Sequence, residues 1–109
     1  MQDLVMTRGD TRTFDFSDVD DADGVAFNLA GATLNFTVGG LFTLTRGAGI
    51  TVDESTGSIE VEIAATDTAA ASDYRREYRY ELEITLADGS VHTPRKGLFI
   101  LTPELDVVE

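Results

Sequence analysis

Glu77-Tyr78-Arg79-Tyr80-Glu81-Leu82-Glu83-Ile84-Thr85-Leu86 alternates strictly between polar and apolar residues. Tyr78, Tyr80, Leu82, Ile84 and Leu86 fall on one face; Glu77, Arg79, Glu81, Glu83 and Thr85 fall on the other. Successive side chains of a strand point to opposite faces, so this period of two predicts a strand with one buried and one wet side. Antiparallel sheets commonly read this way.

The pattern extends outward from that stretch. Ile59, Val61 and Ile63 alternate with Ser58, Glu60 and Glu62, and Leu34, Phe36 and Val38 alternate with Thr33, Asn35 and Thr37. Shorter pieces are Phe14 with Phe16, Phe42 with Leu44, and Ile50 with Val52. Leu98-Phe99-Ile100-Leu101 is continuously apolar, which predicts a strand covered on both faces. Asp23-Gly24, Gly39-Gly40, Gly47-Ala48-Gly49, Ser55-Thr56-Gly57 and Asp88-Gly89 supply turn residues between the runs. Asp88-Gly89 and Ser55-Thr56-Gly57 read as hairpin turns. The Ala-rich stretch from Thr66 to Ser72 breaks the alternation and predicts one short helical turn near 66–72, with Thr66 as N-cap and Asp67 in the first turn, crossing between two sheets. Seven or eight short strands with frequent turns predict an all-β fold, an antiparallel β-sandwich first and a small barrel second.

The 109 residues suit one domain spanning 1–109, with a core over 4–103 and a C-terminal tail over 104–109. A hydrophobic share of 42% is ample for a packed core. The absence of Cys removes disulfides, thiolate chemistry and Cys-based zinc sites, and a single His removes His-pair metal sites. Eight basic residues against 20 acidic ones leave a net charge of −12, which repels phosphate backbones and anionic membrane surfaces and argues against both as partners. No apolar run approaches the roughly 20 residues of a membrane span, and residues 1–7 lack the features of a signal peptide.

Each candidate site has a plain alternative. Asp18, Asp20, Asp21 and Asp23 form an acidic loop ending at Gly24 that invites a calcium reading. Aligned as an EF-hand, the loop puts Val19 and Ala30 where ligands are required, so only a looser surface site survives, against a solvated turn. Arg8-Gly9-Asp10 matches the tripeptide read by integrins, against a Gly turn between the first two strands. His92 has no Gly-x-Ser-x-Gly nucleophile elbow to serve and reads as a strand-edge side chain. Glu60 with Glu62 and Glu81 with Glu83 solvate sheet faces and do not suggest a paired-carboxylate cleft. No enzymatic chemistry and no cofactor are predicted. Arg75, Arg76 and Arg79 cluster in an otherwise acidic chain. They read as a strand entrance with Arg79 facing Glu across the sheet, or as a docking patch for an acidic neighbour. Leu105, Val107 and Val108 give the tail an apolar side that could be pinned on its own domain or donated to a partner strand.

The order of motifs resembles small tailed-phage virion modules related to the N-terminal domain of phage baseplate upper proteins. The resemblance rests on Met6-Thr7-Arg8-Gly9-Asp10-Thr11 followed by Phe14 and Phe16, then Asp20-Asp21-Ala22-Asp23-Gly24 and Leu29-Ala30-Gly31-Ala32-Thr33-Leu34-Asn35-Phe36. It continues through Val52-Asp53-Glu54-Ser55-Thr56-Gly57-Ser58-Ile59, Ile63-Ala64-Ala65-Thr66-Asp67-Thr68, the Tyr78–Gly89 strand and turn, and Thr93 to Pro103. It covers residues 6–103, and the sequence departs from it in the minimal Gly39-Gly40 connection and in Pro103-Glu104-Leu105-Asp106. The resemblance implies an immunoglobulin-like β-sandwich, non-enzymatic, built into a virion. Such a module docks on other virion proteins in the tail, baseplate or fibre-attachment region, with self-assembly left open. The alternatives are a capsid decoration or head-fibre protein, and a calcium-dependent adhesion module.

Overall fold

In a computed structural model, the described residues are 3–16, 28–68 and 76–102. They form β1 (Leu4–Thr7), β2 (Arg12–Phe16), β3 (Thr33–Val38), β4 (Phe42–Arg46), β5 (Gly49–Asp53), β6 (Ser58–Ile63), α1 (Ala65–Thr68), β7 (Arg76–Thr85) and β8 (Val91–Thr102). The alternation that predicts β7 carries through to burial: Tyr80, Leu82 and Ile84 face inward and are buried, and Tyr78 and Leu86 are partly buried against them.

The protein is all-β, but its sheet differs from an antiparallel sandwich. The eight strands make one hydrogen-bonded series in the order β1-β8-β7-β3-β4-β5-β6-β2, nearly closed into a barrel. The sheet is mixed, with β1 parallel to β8 and β4 parallel to β5. Alternation fixes which residues face the core, but not the direction of the neighbouring strand. The two end strands, β1 and β2, are consecutive in sequence, and the Arg12 guanidinium (Nη1) donates to the Val5 carbonyl at 3.1 Å across the seam between them.

The β4–β5 pair shows why a turn signal can mislead. Parallel neighbours normally need a crossover of a dozen or more residues. Here Thr45 pairs with Gly49 and Arg46 with Ile50, so the chain steps sideways without reversing. Gly47 and Gly49 both hold positive φ, and Gly47 N–H donates to Ile50 O at 2.9 Å. By contrast, Ser55-Thr56-Gly57 and Asp88-Gly89 do close antiparallel hairpins, β5–β6 and β7–β8.

One core fills the interior. Phe36 is fully buried, with its ring centroid 5.5 Å from Tyr80, 6.5 Å from Phe16 and 6.4 Å from Phe42; Phe42 meets Phe99 edge-on at 6.0 Å. Removing such a ring to Ala typically costs about 3–5 kcal/mol.

Two local expectations are corrected. The helical turn spans Ala65–Thr68, and Thr66 is inside it, not its cap. Asp67 instead reaches back to accept the Ala64 N–H at 2.8 Å, the reciprocal half of a capping box. The run 98–101 is not covered on both faces: Phe99 and Leu101 are buried, whereas Leu98 and Ile100 point outward and are only half-buried.

Candidate docking surface

Strand register assembles an apolar strip on the outside of the barrel. Val5 on β1 lies opposite Ile100 on β8, and Leu98 is two residues before Ile100 on the same face. Val5 is 46% exposed, a large fraction for a β-branched residue within a strand. On β7, Arg79 lies opposite Leu98, and Glu81 lies opposite Lys96. Arg79 therefore does not face Glu across the sheet, as its place in an alternating strand suggested. On its other side the Gly39 amide donates to the Arg79 carbonyl at 2.8 Å, and glycine offers no side chain to cover the guanidinium. Arg79 and Lys96 form no ion pair with a described residue.

An open cleft of about 720 Å³ lies at this strip, lined by residues 79–81 and 96–98 together with Asp3. Burial raises the Tyr80 hydroxyl above its ordinary pKa; the positive charge of Arg95 opposes this and the negative charge of Asp3 adds to it. The cleft thus brings the cations Arg79 and Lys96, the carboxylates of Asp3 and Glu81, the Leu98 side chain and the Tyr80 phenol to one place, a lining of balanced charge beside the apolar strip.

The β2–β6 end of the sheet is different. Asp15 pairs with Glu60 and Thr13 with Glu62 between β2 and β6, and Thr51 lies opposite Glu60 on β5. All five of these side chains are exposed. Like charges directly across a strand pair are unfavourable, so the Asp15–Glu60 juxtaposition is a cost that the fold carries. β6 and β2 end the strand order, so this acidic face borders β1 across the seam that Arg12 and Val5 bridge.

Of the other residues singled out by sequence, Arg76 is exposed at the start of β7. Arg75, the tail residues Leu105, Val107 and Val108, and the calcium candidates Asp18, Asp20, Asp21 and Asp23 lie outside the described residues. The Arg8-Gly9-Asp10 turn is tied inward, because Gly9 N–H donates to the Thr68 hydroxyl at 3.0 Å and Arg8 N–H donates to the Thr102 carbonyl at 2.9 Å. At the β7–β8 hairpin, Ser90 Oγ donates to Asp88 Oδ1 at 2.6 Å, and His92 Nε2 lies 3.2 Å from Ser90 Oγ. The serine proton is directed to the carboxylate, so this arrangement shapes a turn and does not prime a nucleophile.

Sequence reasoning missed the strip itself and also Arg46. The strip has no motif; it exists because β1 and β8 are neighbours. Arg46 Nη1 donates to the carbonyls of Leu29 at 2.7 Å and Ala32 at 3.0 Å, and Nη2 pairs with Glu54 at 2.7 Å. It joins the connection before β3 to the β5–β6 turn, a positioning role that alternation alone does not reveal. No protein-family model and no curated protein matches the chain.

Proposed function

We propose that this chain is a non-enzymatic structural module of a tailed-phage virion, in the tail, baseplate or fibre-attachment region, that works by docking on neighbouring virion proteins. The observation that carries the docking half of this reading is the Val5–Ile100–Leu98 strip with Arg79 and Lys96 at its margin. Apolar side chains held in register on the outer face of a sheet, beside a polar margin that carries both charges, favour contact with another protein. The virion half rests on the ordered resemblance of residues 6–103 to small phage virion modules.

The test is localisation in particles. An antibody raised against the chain is applied to gradient-banded particles from the host that carries its coding sequence, separated into heads and tails. Signal at stoichiometric level in tails is the expected result. Signal in heads moves the assignment to capsid decoration, and signal in neither fraction overturns the virion reading.

A further inference from the structure

We propose that the seam between β1 and β2 is a strand-addition site, and that its occupant is an extended segment of a partner protein in which apolar residues alternate with Lys or Arg. This inference rests on the docking reading above and names the mode of contact and the chemistry of the partner.

The seam is an unfinished ladder. β1 and β2 are consecutive, and the pairings round the sheet set them in opposite directions. Two such strands joined by residues 8–11 alone ordinarily close as a hairpin. Here they are the two ends of the strand order, so neither pairs with a described strand on its seam side. Arg8 N–H donates to Thr102 O on the β8 side at 2.9 Å. Backbone groups alternate sides along a strand, so those of Leu4 and Met6 also face β8, and those of Val5 and Thr7 face the seam. Both seam-facing carbonyls are capped locally: Thr7 O accepts the Asp10 N–H at 3.1 Å, and Val5 O accepts Arg12 Nη1 at 3.1 Å. The exposed Arg12 guanidinium, 4.9 Å from the centre of the Phe14 ring, thus donates where the amide of a neighbouring strand would. Displacing one exposed side-chain bond costs far less than breaking a ladder. A sheet edge with free backbone groups is a template for an extended chain.

The side chains that border the seam set the chemistry of the occupant. Leu4 and Met6 of β1 and Phe14 of β2 are buried on the inward side, so inward residues of an added strand meet apolar neighbours. On the outward side one border is Val5, 46% exposed. The other is Asp15, with Glu60 opposite it on β6 and Glu62 opposite Thr13. A Lys or Arg seated between these borders lays its aliphatic stem on Val5 and carries its charged head to the carboxylates. That pairing relieves the Asp15–Glu60 repulsion, and an acidic residue in the same place adds to it. The far margin of the strip, toward β7, carries both charges and does not decide the sign. The net charge of −12 draws a cationic segment in from a distance. A second copy, with 8 basic residues against 20 acidic ones, is a poor source of such a segment.

The test titrates the isotope-labelled full chain with a short end-blocked peptide of alternating Lys and Val, followed by NMR. Two control peptides are alternating Glu and Val, and the Lys–Val peptide with every amide N-methylated. The Lys–Val peptide is expected to shift the amides of Val5, Thr7 and Asp15 and to slow hydrogen exchange at Val5 and Thr7; neither control should do so. The D15N/E60Q/E62Q variant is expected to bind it about tenfold more weakly or worse. All three positions are exposed, and a matching melting temperature verifies that the variant folds. Equal binding by the N-methylated peptide overturns strand addition. Equal binding by the Glu–Val peptide, or by the triple variant, overturns the basic partner. No binding, or shifts confined to other strands, overturns the seam as the site. Protection of the Val5 and Thr7 amides that rises with concentration of the free chain puts a second copy there and overturns the partner named here. A chain that fails these tests and is still found in the tail fraction of particles overturns strand addition while leaving the docking reading standing.

Discussion

The Thr68 hydroxyl accepts the Gly9 amide proton at 3.0 Å across 59 residues of sequence, and Thr68 is itself fully buried. A four-residue helical turn has little stability of its own. Here it serves as a peg: α1 follows β6, and its last residue fastens the turn that connects β1 to β2 beside the seam of the barrel.

Replacing Thr68 with Val keeps the shape and removes the acceptor, leaving the Gly9 N–H without it. The expected loss is about 1–3 kcal/mol, measured by chemical denaturation. Thr68→Ser retains the hydroxyl and should recover most of that loss; equal losses in both variants would show that packing, and not the hydrogen bond, holds the contact.

Arg46 should be similarly intolerant. Lys cannot reach two backbone carbonyls and Glu54 together. Arg46→Lys is therefore expected to cost about 1–3 kcal/mol through the weakened carbonyl bonds. Glu54→Gln should cost less than about 1 kcal/mol, because that carboxylate is half-exposed. Comparable losses at both positions would mean that the ion pair dominates.

Two glycines separate backbone strain from crowding. Gly40 has φ of +79° and nothing within 4 Å of an added Cβ, so Gly40→Ala should cost only the left-handed penalty of about 1–2 kcal/mol. Gly49 has φ of +103°, and an added Cβ would lie 3.0 Å from Leu44 Cδ2 and 3.2 Å from Leu44 Cβ. Gly49→Ala should be the clearly worse of the two by thermal denaturation, because the methyl strikes a buried residue at the sideways step between β4 and β5. Equal costs would place the whole effect in φ.

Two aspartates should titrate low. The Ser55 hydroxyl and then the Ser55 amide donate to Asp53 and hold its carboxyl below the ordinary aspartate range; the Ser90 hydroxyl and amide do the same for Asp88, with a further contribution from His92. Because the folded value is lowered, the stabilisation is complete above the ordinary value of about 3.9 and is lost as pH falls through the lower folded value. Carboxyl NMR titration should show both groups protonating after most other carboxylates, and Ser55→Ala and Ser90→Ala should each move their own aspartate upward. Either aspartate titrating at the ordinary value in the wild type would refute its serine contact.

The docking strip should be dispensable for folding. Val5→Ser and Arg79→Ala alter exposed side chains, so each should change stability by no more than about 0.5 kcal/mol. Each should nonetheless weaken capture of the chain by its neighbours in particle fractions. Capture that survives both substitutions would place the contact elsewhere.

Period-two alternation made β3, β6 and β7 legible in sequence, together with the inward residues Phe36, Val61 and Leu82, because burial on one side of a sheet writes itself into every second residue. The Asp-Gly and Thr-Gly hairpins were legible for the same local reason. Strand neighbours were not, because nothing in the Leu4–Thr7 segment says that it lies parallel to β8. This also explains why Leu98 and Ile100 read as buried: a continuous apolar run looks the same whether its second face meets a layer of protein or an exposed strip. Of the expected docking arginines, Arg79 is exposed on β7 at the margin of that strip, where sequence placed it as a candidate without its true neighbours.

The parallel pairing of β1 with β8 has a consequence for the order of events in the cell. Leu4 cannot meet Phe99 until nearly the whole described chain has emerged from the ribosome. The earliest of the described strands thus gains its β8 partner last, and its buried residues Leu4 and Met6 lack that cover while β2 to β7 assemble. Long-range pairings of this kind slow folding and prolong the exposure of apolar surface. A net charge of −12 makes unfinished copies repel one another over that interval, which opposes their aggregation.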